Sequence, residues 1–432
     1  MSMNIDIFSF SFSRGGAAIA AKRFAKLAEK FASVKCYAAE KSTANDLPIT
    51  YPSKRTEKLH FLLRIISYLL SIPCKTKVKT KHSLNIFSSP TIKHGLRESR
   101  NRHALTHIHW VNNDSLSIIG LHNLPQHSLI TIHDEWLYCG SEHYYDPFAD
   151  KLDFQHGYKI LSLTQGINLN YIPWKLKMIA FGQRQDLIIT APSKWACDRA
   201  SKSKILGNKP IFLLPNPIDI DKFSPLQEKI TQDFRLQLGA NTDHFIIAIG
   251  GINAPSTPLK GMKLFHDALE ILRDLIDDKN CRSILILTFG SDKPNGDTMA
   301  GFPLKDAGKI TQERMPLIYS AADLIVVPSI VESFGQVAAE SLACETPVVA
   351  FETSGIADIV THGISGYLAK PFSPRSLASC IYSAITLPGG QLKQLGKNGR
   401  THVAAHFSND TIQKSYEEIV NFARLKSEQI KK

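Results

Sequence analysis

The chain has 432 residues, 43% hydrophobic and 21% charged, which excludes a fibrous or largely disordered protein. A chain of this length is too long for a single hydrophobic core of ordinary size, which predicts two domains. The net charge of +12 is concentrated in residues 54–102, which hold twelve Lys or Arg and two Glu, so the charge pattern does not indicate a nucleic-acid-binding protein.

The cysteines and the apolar segments indicate the cellular compartment in which the protein is expected. Seven cysteines are scattered without a C-x-x-C pair, which argues against a disulfide framework and a zinc knuckle. The first residues lack the basic and apolar regions of a signal peptide. No apolar stretch reaches the roughly 18 residues that a spanning helix needs. We therefore expect a cytoplasmic protein.

Short apolar runs recur along the chain, and each precedes a helical pattern. They occupy residues 5–12, 129–133, 186–193, 211–216, 244–251, 283–290, 323–329 and 346–351. Such runs are typical of strands buried on both faces of a parallel sheet. The Pro- and Asp-rich segment 216–228 separates the first four runs from the last four and is the predicted linker.

This order predicts an α/β protein with two Rossmann-like, doubly wound domains. The predicted domains are residues 1–216 and 217–408, and a C-terminal helix at about 409–432 is expected to pack back on the first domain. Ligands of such sheets bind at the carboxyl ends of the strands. We therefore expect the site in a deep cleft where the two domains face each other.

The first strand-to-helix turn contains Gly15 and Gly16. Paired glycines at such a turn let a phosphate approach the backbone and the helix N-terminus. Taken alone, the pair is equally consistent with a simple tight turn.

Three histidines follow or lie on apolar strands. His133 ends the run 129–133 and is followed by Asp134, so a neutral imidazole there can donate to a sugar hydroxyl or a phosphate, or belong to a buried polar network. His107 and His109 form an H-x-H pair on one strand face, an arrangement known from metal sites. No third ligand cluster accompanies them, so no metal is predicted.

The second domain opens with a strand that ends at Gly250 and Gly251, and Lys260 with Gly261 opens the next helix. A lysine at this place can neutralise the negative charge of a phosphate group. The alternative is an ordinary surface lysine.

The strongest motif is VPSIVESFGQVAAESLACETPVVAF, followed by SGIADIV and GISGYL. Glu332 lies in the loop after a strand, and Glu340 lies about one turn into a helix that begins near Phe334 and Gly335. Helix N-termini favour anionic or hydroxyl-rich ligands, and two carboxylates can accept hydrogen bonds from two sugars. The spacing of the two glutamates alone is weak, but the surrounding motifs make it specific.

With these motifs the chain resembles the retaining family-4 glycosyltransferases of the GT-B fold, the glycosyl transferases group 1. The resemblance covers nearly the whole chain and is weakest in residues 40–100. It implies that Glu332 contacts the hydroxyls of the transferred sugar and that Glu340 holds the donor ribose. It also implies that the backbone of Phe334 and Gly335 cradles the sugar and the diphosphate.

The same resemblance assigns expected roles to the other candidates. It places His133 beside the transferred sugar, and the turn of Gly15 and Gly16 at the donor phosphates. Gly251 is an expected donor-binding position, and Lys260 is expected to stabilise the departing diphosphate.

The chain also departs from the family pattern. The family usually pairs this lysine with an arginine a few residues earlier, and residues 252–259 contain no basic side chain, which leaves Lys263 or Arg14 as possible helpers and weak activity as an open alternative. Pro217 replaces a glycine in the linker, and residues 141–146 differ from the stretch that usually follows His133.

The implied activity is transfer of a hexose-type sugar, with retained configuration, from a UDP- or GDP-sugar to a glycan or lipid-linked acceptor. The expected setting is bacterial surface polysaccharide synthesis, such as lipopolysaccharide, capsule or exopolysaccharide. No cofactor and no metal are expected. An inactive sugar-nucleotide-binding protein and a sugar-nucleotide epimerase remain alternatives. The basic residues 54–102 suggest peripheral contact with an anionic membrane or, equally, a solvated insertion.

Overall fold

The computed structural model describes residues 3–42, 46–74, 80–162, 166–241, 243–251, 257–276, 283–290, 296–388 and 390–429. It divides into two compact units, which are Met1–Pro217 with Ile412–Lys432, and Ile218–Thr411. The first break lies one residue beyond the predicted boundary at residue 216. We call these the N-terminal unit and the C-terminal unit.

The N-terminal unit is built on a parallel sheet of seven strands in the order β3-β2-β1-β4-β5-β8-β9, beside a two-stranded antiparallel hairpin, β6-β7. Its strands are β1 (Asn4–Ser9), β2 (Ser33–Ala38), β3 (Ile49–Thr50), β4 (Leu105–His109), β5 (Leu129–Thr131), β6 (Leu161–Ser162), β7 (Gly166–Ile167), β8 (Ile188–Ala191) and β9 (Ile211–Leu213). Its helices are α1 (Gly16–Glu29), α2 (Lys54–Ser71), α3 (Pro90–Asn101), α4 (Ile118–His122), α5 (Asp153–His156), α6 (Tyr171–Phe181) and α7 (Lys194–Lys202), with a 3-10 turn at Ile72–Cys74.

Successive side chains along each strand point to opposite faces of this sheet, and both faces are buried. From β1, Ile7 packs with Phe24 of α1 on one face, whereas Phe8 stacks on Tyr37 on the other with ring centroids 5.0 Å apart. A Cβ atom at Gly95 of α3 would lie 2.5 Å from the Tyr37 ring, so only glycine lets this helix approach the sheet. Helices therefore cover the sheet on both sides.

The C-terminal unit contains a second seven-stranded sheet, in the order β12-β13-β11-β10-β14-β15-β16, parallel except for the β12-β13 pair. Its strands are β10 (Phe245–Gly250), β11 (Ile284–Phe289), β12 (Thr298–Met299), β13 (Phe302–Asp306), β14 (Leu324–Val327), β15 (Val348–Phe351) and β16 (Gly366–Ala369). Its helices are α8 (Glu228–Gln237), α9 (Met262–Leu275), α10 (Met315–Ala321), α11 (Gln336–Ala343), α12 (Pro374–Ile385) and α13 (Gln391–Phe407), with 3-10 turns at Pro258–Lys260 and Ser354–Asp358.

The last helix, α14 (Asn409–Gln429), begins in the C-terminal unit and completes the core of the N-terminal one. Ile412, Tyr416 and Val420 recur at every fourth position and are fully or almost fully buried beside Phe24 of α1. This repeat gives one apolar stripe along the helix.

The structure confirms the α/β prediction with two parallel-sheet, Rossmann-like units. The observed strands are shorter than the predicted runs, because the apolar residues at several run ends belong to the loops. Seven strands were not predicted, namely β2, β3, β6, β7, β12, β13 and β16. Within the described residues, no helix is both long and apolar enough to cross a membrane.

Candidate functional site

In the C-terminal unit, the loops that follow the neighbouring strands β10 and β14 lie against each other. The backbone N–H of Ile330 donates to the carbonyl oxygen of Leu259 at 2.8 Å. Gly261 has φ 71°, and a Cβ atom there would lie 1.8 Å from the carbonyl oxygen of Pro328. Glycine at position 261 therefore allows the two loops to touch.

This contact brings Lys260 and Glu332 together. The Nζ atom of Lys260 donates to Oε1 of Glu332 at 2.5 Å, and the Ser329 hydroxyl donates to the same oxygen at 2.9 Å. The Lys260 side chain is 33% exposed and that of Glu332 18% exposed. The two predicted charges thus form a partly exposed ion pair at the carboxyl end of the sheet, where parallel sheets bind ligands.

The loop that carries Glu332 is fixed by its backbone. The Glu332 N–H donates to the Ser354 hydroxyl at 2.9 Å, and the Gly355 N–H donates to the Glu332 carbonyl oxygen at 2.8 Å. Gly335 then caps α11 with φ 107°, and a Cβ atom at this position would lie 2.6 Å from Ile356. The helix N-terminus therefore starts directly beside the ion pair.

Phe334 contributes to the core of the unit. Its ring is 4% exposed and packs edge-on against Phe407, with centroids 5.5 Å apart. Its backbone leads into Gly335 and α11, so a ligand contact at this position is expected from the main chain.

Glu340 lies deeper than Glu332. Its side chain is only 2% exposed; Oε2 accepts a hydrogen bond from the Tyr319 hydroxyl at 3.0 Å, and Oε1 accepts one from the Gln336 amide at 3.0 Å. Lys260 and Glu332 therefore meet directly, whereas Glu340 bonds to neighbours on α10 and α11. The expected contact of Glu340 with a donor ribose stays a prediction.

Gly251 follows β10 directly. Its φ is 150°, and a Cβ atom there would meet no other group within 4 Å. Its N–H donates to the carbonyl oxygen of Phe289 at 3.2 Å, which ties the end of β10 to β11. The position is open, as a donor contact through the backbone requires.

In the N-terminal unit, Gly15 and Gly16 form the turn between β1 and α1. Gly15 has φ 98°, a left-handed conformation that side chains with a Cβ rarely adopt, and it is the N-cap of α1. The space around its missing Cβ is open to at least 4 Å. The turn leaves the start of a 14-residue helix accessible, which suits an anion.

His133 follows β5 and belongs to a polar cluster. Its Nε2 lies 2.9 Å from Nδ1 of His109, so one nitrogen donates and the other accepts. Burial lowers the pKa of His133 to about 4, so the imidazole is neutral at pH 7. A neutral ring can hydrogen-bond a sugar hydroxyl without carrying charge into the site.

Asp134 is the anion of the same cluster. Burial raises its pKa, but His143 and the hydrogen bonds that it accepts outweigh this effect and hold the pKa below its ordinary value. His143 lies 2.9 Å from the carboxylate, and the Trp110 indole donates to it at 2.7 Å. The carboxylate thus joins β4, β5 and the loop that precedes α5.

His107 has both ring nitrogens engaged inside the unit. Nδ1 lies 2.7 Å from the Tyr416 hydroxyl and Nε2 2.8 Å from that of Thr131. Burial lowers the pKa of His107 to about 3 and that of His109 far below its ordinary value. Among the described residues, three possible metal ligands converge on the exposed side of α9, away from this H-x-H pair.

Several residues that shape these sites were not predicted. Ser329 and Tyr319 hold the two glutamates, and His143 and Trp110 hold Asp134. Ser329 stood within the quoted motif directly after a strand, which is a usable signal. Tyr319 and His143 are distant in sequence from their partners, and no local pattern identifies them.

Known proteins resemble this chain both in sequence and in fold. Residues 305–402 match the family glycosyl transferases group 1. The D-inositol 3-phosphate glycosyltransferase of Corynebacterium jeikeium is 28% identical over 224 residues, which are 48% of this chain and 52% of that protein. That of Streptosporangium roseum is 32% identical over 187 residues, 40% of this chain and 41% of the relative. These alignments thus span about half the length of the curated relatives, or less.

Two solved structures resemble the whole chain. The Anabaena protein HepE in complex with UDP-glucose gives a TM-score of 0.64 at 16% identity, over 97% of this chain and 99% of HepE. WaaG, a glycosyltransferase involved in lipopolysaccharide biosynthesis, gives a TM-score of 0.64 at 16% identity, over 96% of this chain and 99% of WaaG. These similarities and the two Rossmann-like units define a protein of the GT-B fold. The segment 305–402, which matches the glycosyl transferases group 1, contains Glu332 and Glu340.

Proposed function

We propose that this chain is a retaining, metal-independent glycosyltransferase. It moves a hexose-type sugar from a nucleotide-diphosphate sugar, UDP- or GDP-linked, to a glycan or lipid-linked acceptor. The observation that supports this most is the partly exposed Lys260–Glu332 pair beside the start of α11. HepE, solved in complex with UDP-glucose and with UDP, supports the donor class.

The pair offers the two chemistries that a sugar diphosphate needs. The Lys260 ammonium group has three donors, so it can bind a phosphate oxygen while it keeps its bond to Glu332. The second oxygen of Glu332 can accept a hydrogen bond from a sugar hydroxyl. The backbone of Gly335 and the N-terminus of α11 add positive partial charge beside them.

The proposed reaction breaks the bond between the anomeric carbon and the donor phosphate oxygen and forms one to the acceptor oxygen on the same face. The acceptor proton passes to the departing phosphate oxygen. Lys260 stabilises the negative charge that develops on the diphosphate, which is electrostatic stabilisation of a transition state. Helix N-termini at Gly15 and Gly335 supply further positive potential, and no carboxylate serves as a dedicated base.

The N-terminal unit is the proposed acceptor side. His133 is neutral at pH 7 and its ring has a second nitrogen besides the one bonded to His109. In the proposal that nitrogen hydrogen-bonds a hydroxyl of the transferred sugar. Gly15 and Gly16 leave room for phosphate oxygens at the start of α1.

The proposed setting is surface polysaccharide synthesis on the cytoplasmic side of a bacterial membrane. WaaG acts in lipopolysaccharide biosynthesis, which supports this setting by structural likeness. The six described cysteines are free thiols, as a reducing compartment favours. The curated relatives named D-inositol 3-phosphate glycosyltransferases support a phosphorylated small acceptor as the second candidate.

A thermal-shift screen tests the donor first. We expect UDP, GDP or one of their sugars to raise the melting temperature of the wild type and to raise that of Lys260→Ala much less. Incubating the stabilising sugar nucleotide with the chain alone then tests for an epimerase, which would convert the donor without acceptor. Donor binding without transfer to any acceptor would favour an inactive sugar-nucleotide-binding protein.

A further inference from the structure

Helix α2 has the reverse of the usual polarity. Its buried residues are polar, because His60, Ser67 and Ser71 are at most 4% exposed. Eight of its large apolar side chains are 41–62% exposed, and these are Leu59, Phe61, Leu62, Ile65, Ile66, Tyr68, Leu69 and Leu70. Contiguous apolar surface of this size marks an interaction site in a folded protein.

Specific contacts fix this orientation. The His60 ring lies 2.8 Å from the carbonyl oxygen of Asp114, and the Arg64 guanidinium lies 4.8 Å above the Phe10 ring. Rotating the helix to bury its leucines would break both contacts and leave a buried carbonyl group without its donor. The apolar face therefore stays outward.

A second helix extends the apolar surface. The side-chain amide of Asn170, the N-cap of α6, donates to the carbonyl oxygen of Cys74 at 3.1 Å, so α6 begins where the 3-10 turn after α2 ends. Ile172, Leu176 and Ile179 are 48–66% exposed at helical spacing along α6. The helices α2 and α6 thus both present apolar side chains to solvent.

Basic residues border the apolar face. Lys54, Arg55 and Lys58 are exposed in the first turns of α2. Lys93 and Arg97 are exposed on α3, which contacts α2. An apolar face bordered by lysine and arginine is the pattern of helices that lie in the surface of an anionic bilayer.

We infer that α2 and α6 dock the chain on an anionic lipid bilayer, with α2 lying in the plane of the interface. This inference rests on the proposed function for its biological role, because it would bring a lipid-linked acceptor to the N-terminal unit. Its physical basis is independent of catalysis. The charge distinguishes the two possible partners of this face. A second copy of the chain docked through the same face would bring two sets of cations together, whereas anionic lipid has the complementary charge.

The helix lies in the interface and does not cross the bilayer. Its 18 residues span about 27 Å at about 1.5 Å per residue, slightly less than a hydrocarbon core of about 30 Å. Its polar side is bonded to the protein, so only the apolar side is available to lipid. Insertion therefore stops at the depth of these side chains, about 5–10 Å.

The test uses the full chain and vesicles of equal parts phosphatidylglycerol and phosphatidylcholine in a sedimentation assay. We expect the triple variant Leu62→Gln, Ile66→Gln, Leu69→Gln to lower vesicle binding at least about tenfold, because it removes the inserting side chains. The matched control is Ile230→Gln, Leu236→Gln, Leu275→Gln, since these residues are 44–64% exposed on α8 and α9. We expect the control to bind as the wild type does.

The charge is tested separately with Lys54→Gln, Arg55→Gln, Lys58→Gln. Binding should fall about fivefold for each charge removed and should weaken with added salt. Unchanged binding of the α2 triple variant, or an equal loss in the control, would overturn the inference. So would a wild-type dimer in sedimentation equilibrium that the α2 triple variant dissociates. Because vesicle binding is measured without donor or acceptor, its failure is distinguishable from a failure of the transferase proposal.

Discussion

Lys260 and Glu332 stand 72 positions apart in the sequence, yet the lysine Nζ lies 2.5 Å from the glutamate Oε1. The contact depends on the close approach of the two loops at Gly261 and Pro328. In the proposed function, this pair at the carboxyl ends of adjacent strands binds a ligand that carries both phosphate and hydroxyl groups.

Removing either charge of this pair should impair catalysis far more than folding. We expect Lys260→Ala and Glu332→Ala each to lower the rate of nucleoside diphosphate release during transfer by about 10²–10³. A partly exposed ion pair contributes only about 0–1 kcal/mol to stability, so the melting temperature should change little. Lys397→Ala, an exposed lysine on α13, is the control and should retain full activity. An unchanged rate in both variants would show that Lys260 and Glu332 are not part of the catalytic site.

Glu340 should matter for stability as well as for the donor. Glu340→Ala leaves the Tyr319 hydroxyl and the Gln336 amide without their acceptor and should lower the free energy of unfolding by about 1–3 kcal/mol. Urea unfolding measures this, with the exposed Glu352→Ala as control. If Glu340 also holds the ribose, Glu340→Gln should weaken nucleotide binding. Equal nucleotide affinity of Glu340→Gln and wild type would make Glu340 a purely structural residue.

The role of Gly261 in the loop contact can be distinguished from the general preference of a left-handed backbone for glycine. Gly261 and Gly363 have φ 71° and 72°, but a Cβ atom meets the Pro328 carbonyl only at Gly261. Gly363→Ala should cost about 1 kcal/mol, the penalty of the left-handed backbone. Gly261→Ala should cost about 2–4 kcal/mol, because the loops must also move apart. Equal unfolding free energies of the two variants would show that the loop contact is unimportant.

The buried histidines should make the fold sensitive to acid. The pKa of a histidine in the unfolded chain is about 6.5, whereas burial lowers the pKa of His107 to about 3 and that of His133 to about 4. The unfolded state therefore binds more protons between pH 6.5 and 4. Stability should fall as the pH is lowered through that window, by up to about 1.4 kcal/mol per pH unit for each histidine.

Urea unfolding between pH 7 and 4 measures this slope. His107→Gln should reduce the slope relative to wild type, whatever its effect at pH 7. The exposed His94→Gln is the control and should leave the slope as it is. A wild-type slope that His107→Gln does not change would contradict the assignment of the acid sensitivity to this cluster.

Sequence patterns predicted the fold because most of the buried parallel strands are short continuous apolar runs. They also placed the candidates Glu332, Gly335 and Lys260 in the segments that come after such runs. The contacts that define the site could not be predicted in the same way. Tyr319 reaches Glu340 from another helix, and His143 reaches Asp134 from a loop, so both contacts depend on tertiary packing.

The reverse polarity of α2 was also outside the reach of the sequence. The run FLLRIISYLL has the composition of a core helix, and its periodicity does not show which side faces the protein. The contacts of His60 with Asp114 and of Arg64 with Phe10 reveal that the polar side is buried. The charge of residues 54–102 suggested a contact with an anionic membrane. The structure shows in addition that α2 exposes large apolar side chains.

The most direct test of the proposed activity follows label from donor to acceptor. The chain is incubated with the radiolabelled UDP- or GDP-sugar that stabilises it and with an extract of bacterial lipid-linked glycans, and the lipid phase is counted. We predict that label enters the lipid phase with wild type and with Lys397→Ala, and falls at least about 100-fold with Lys260→Ala. Label that stays in the nucleotide sugar for all three proteins, despite measured donor binding, would contradict the account.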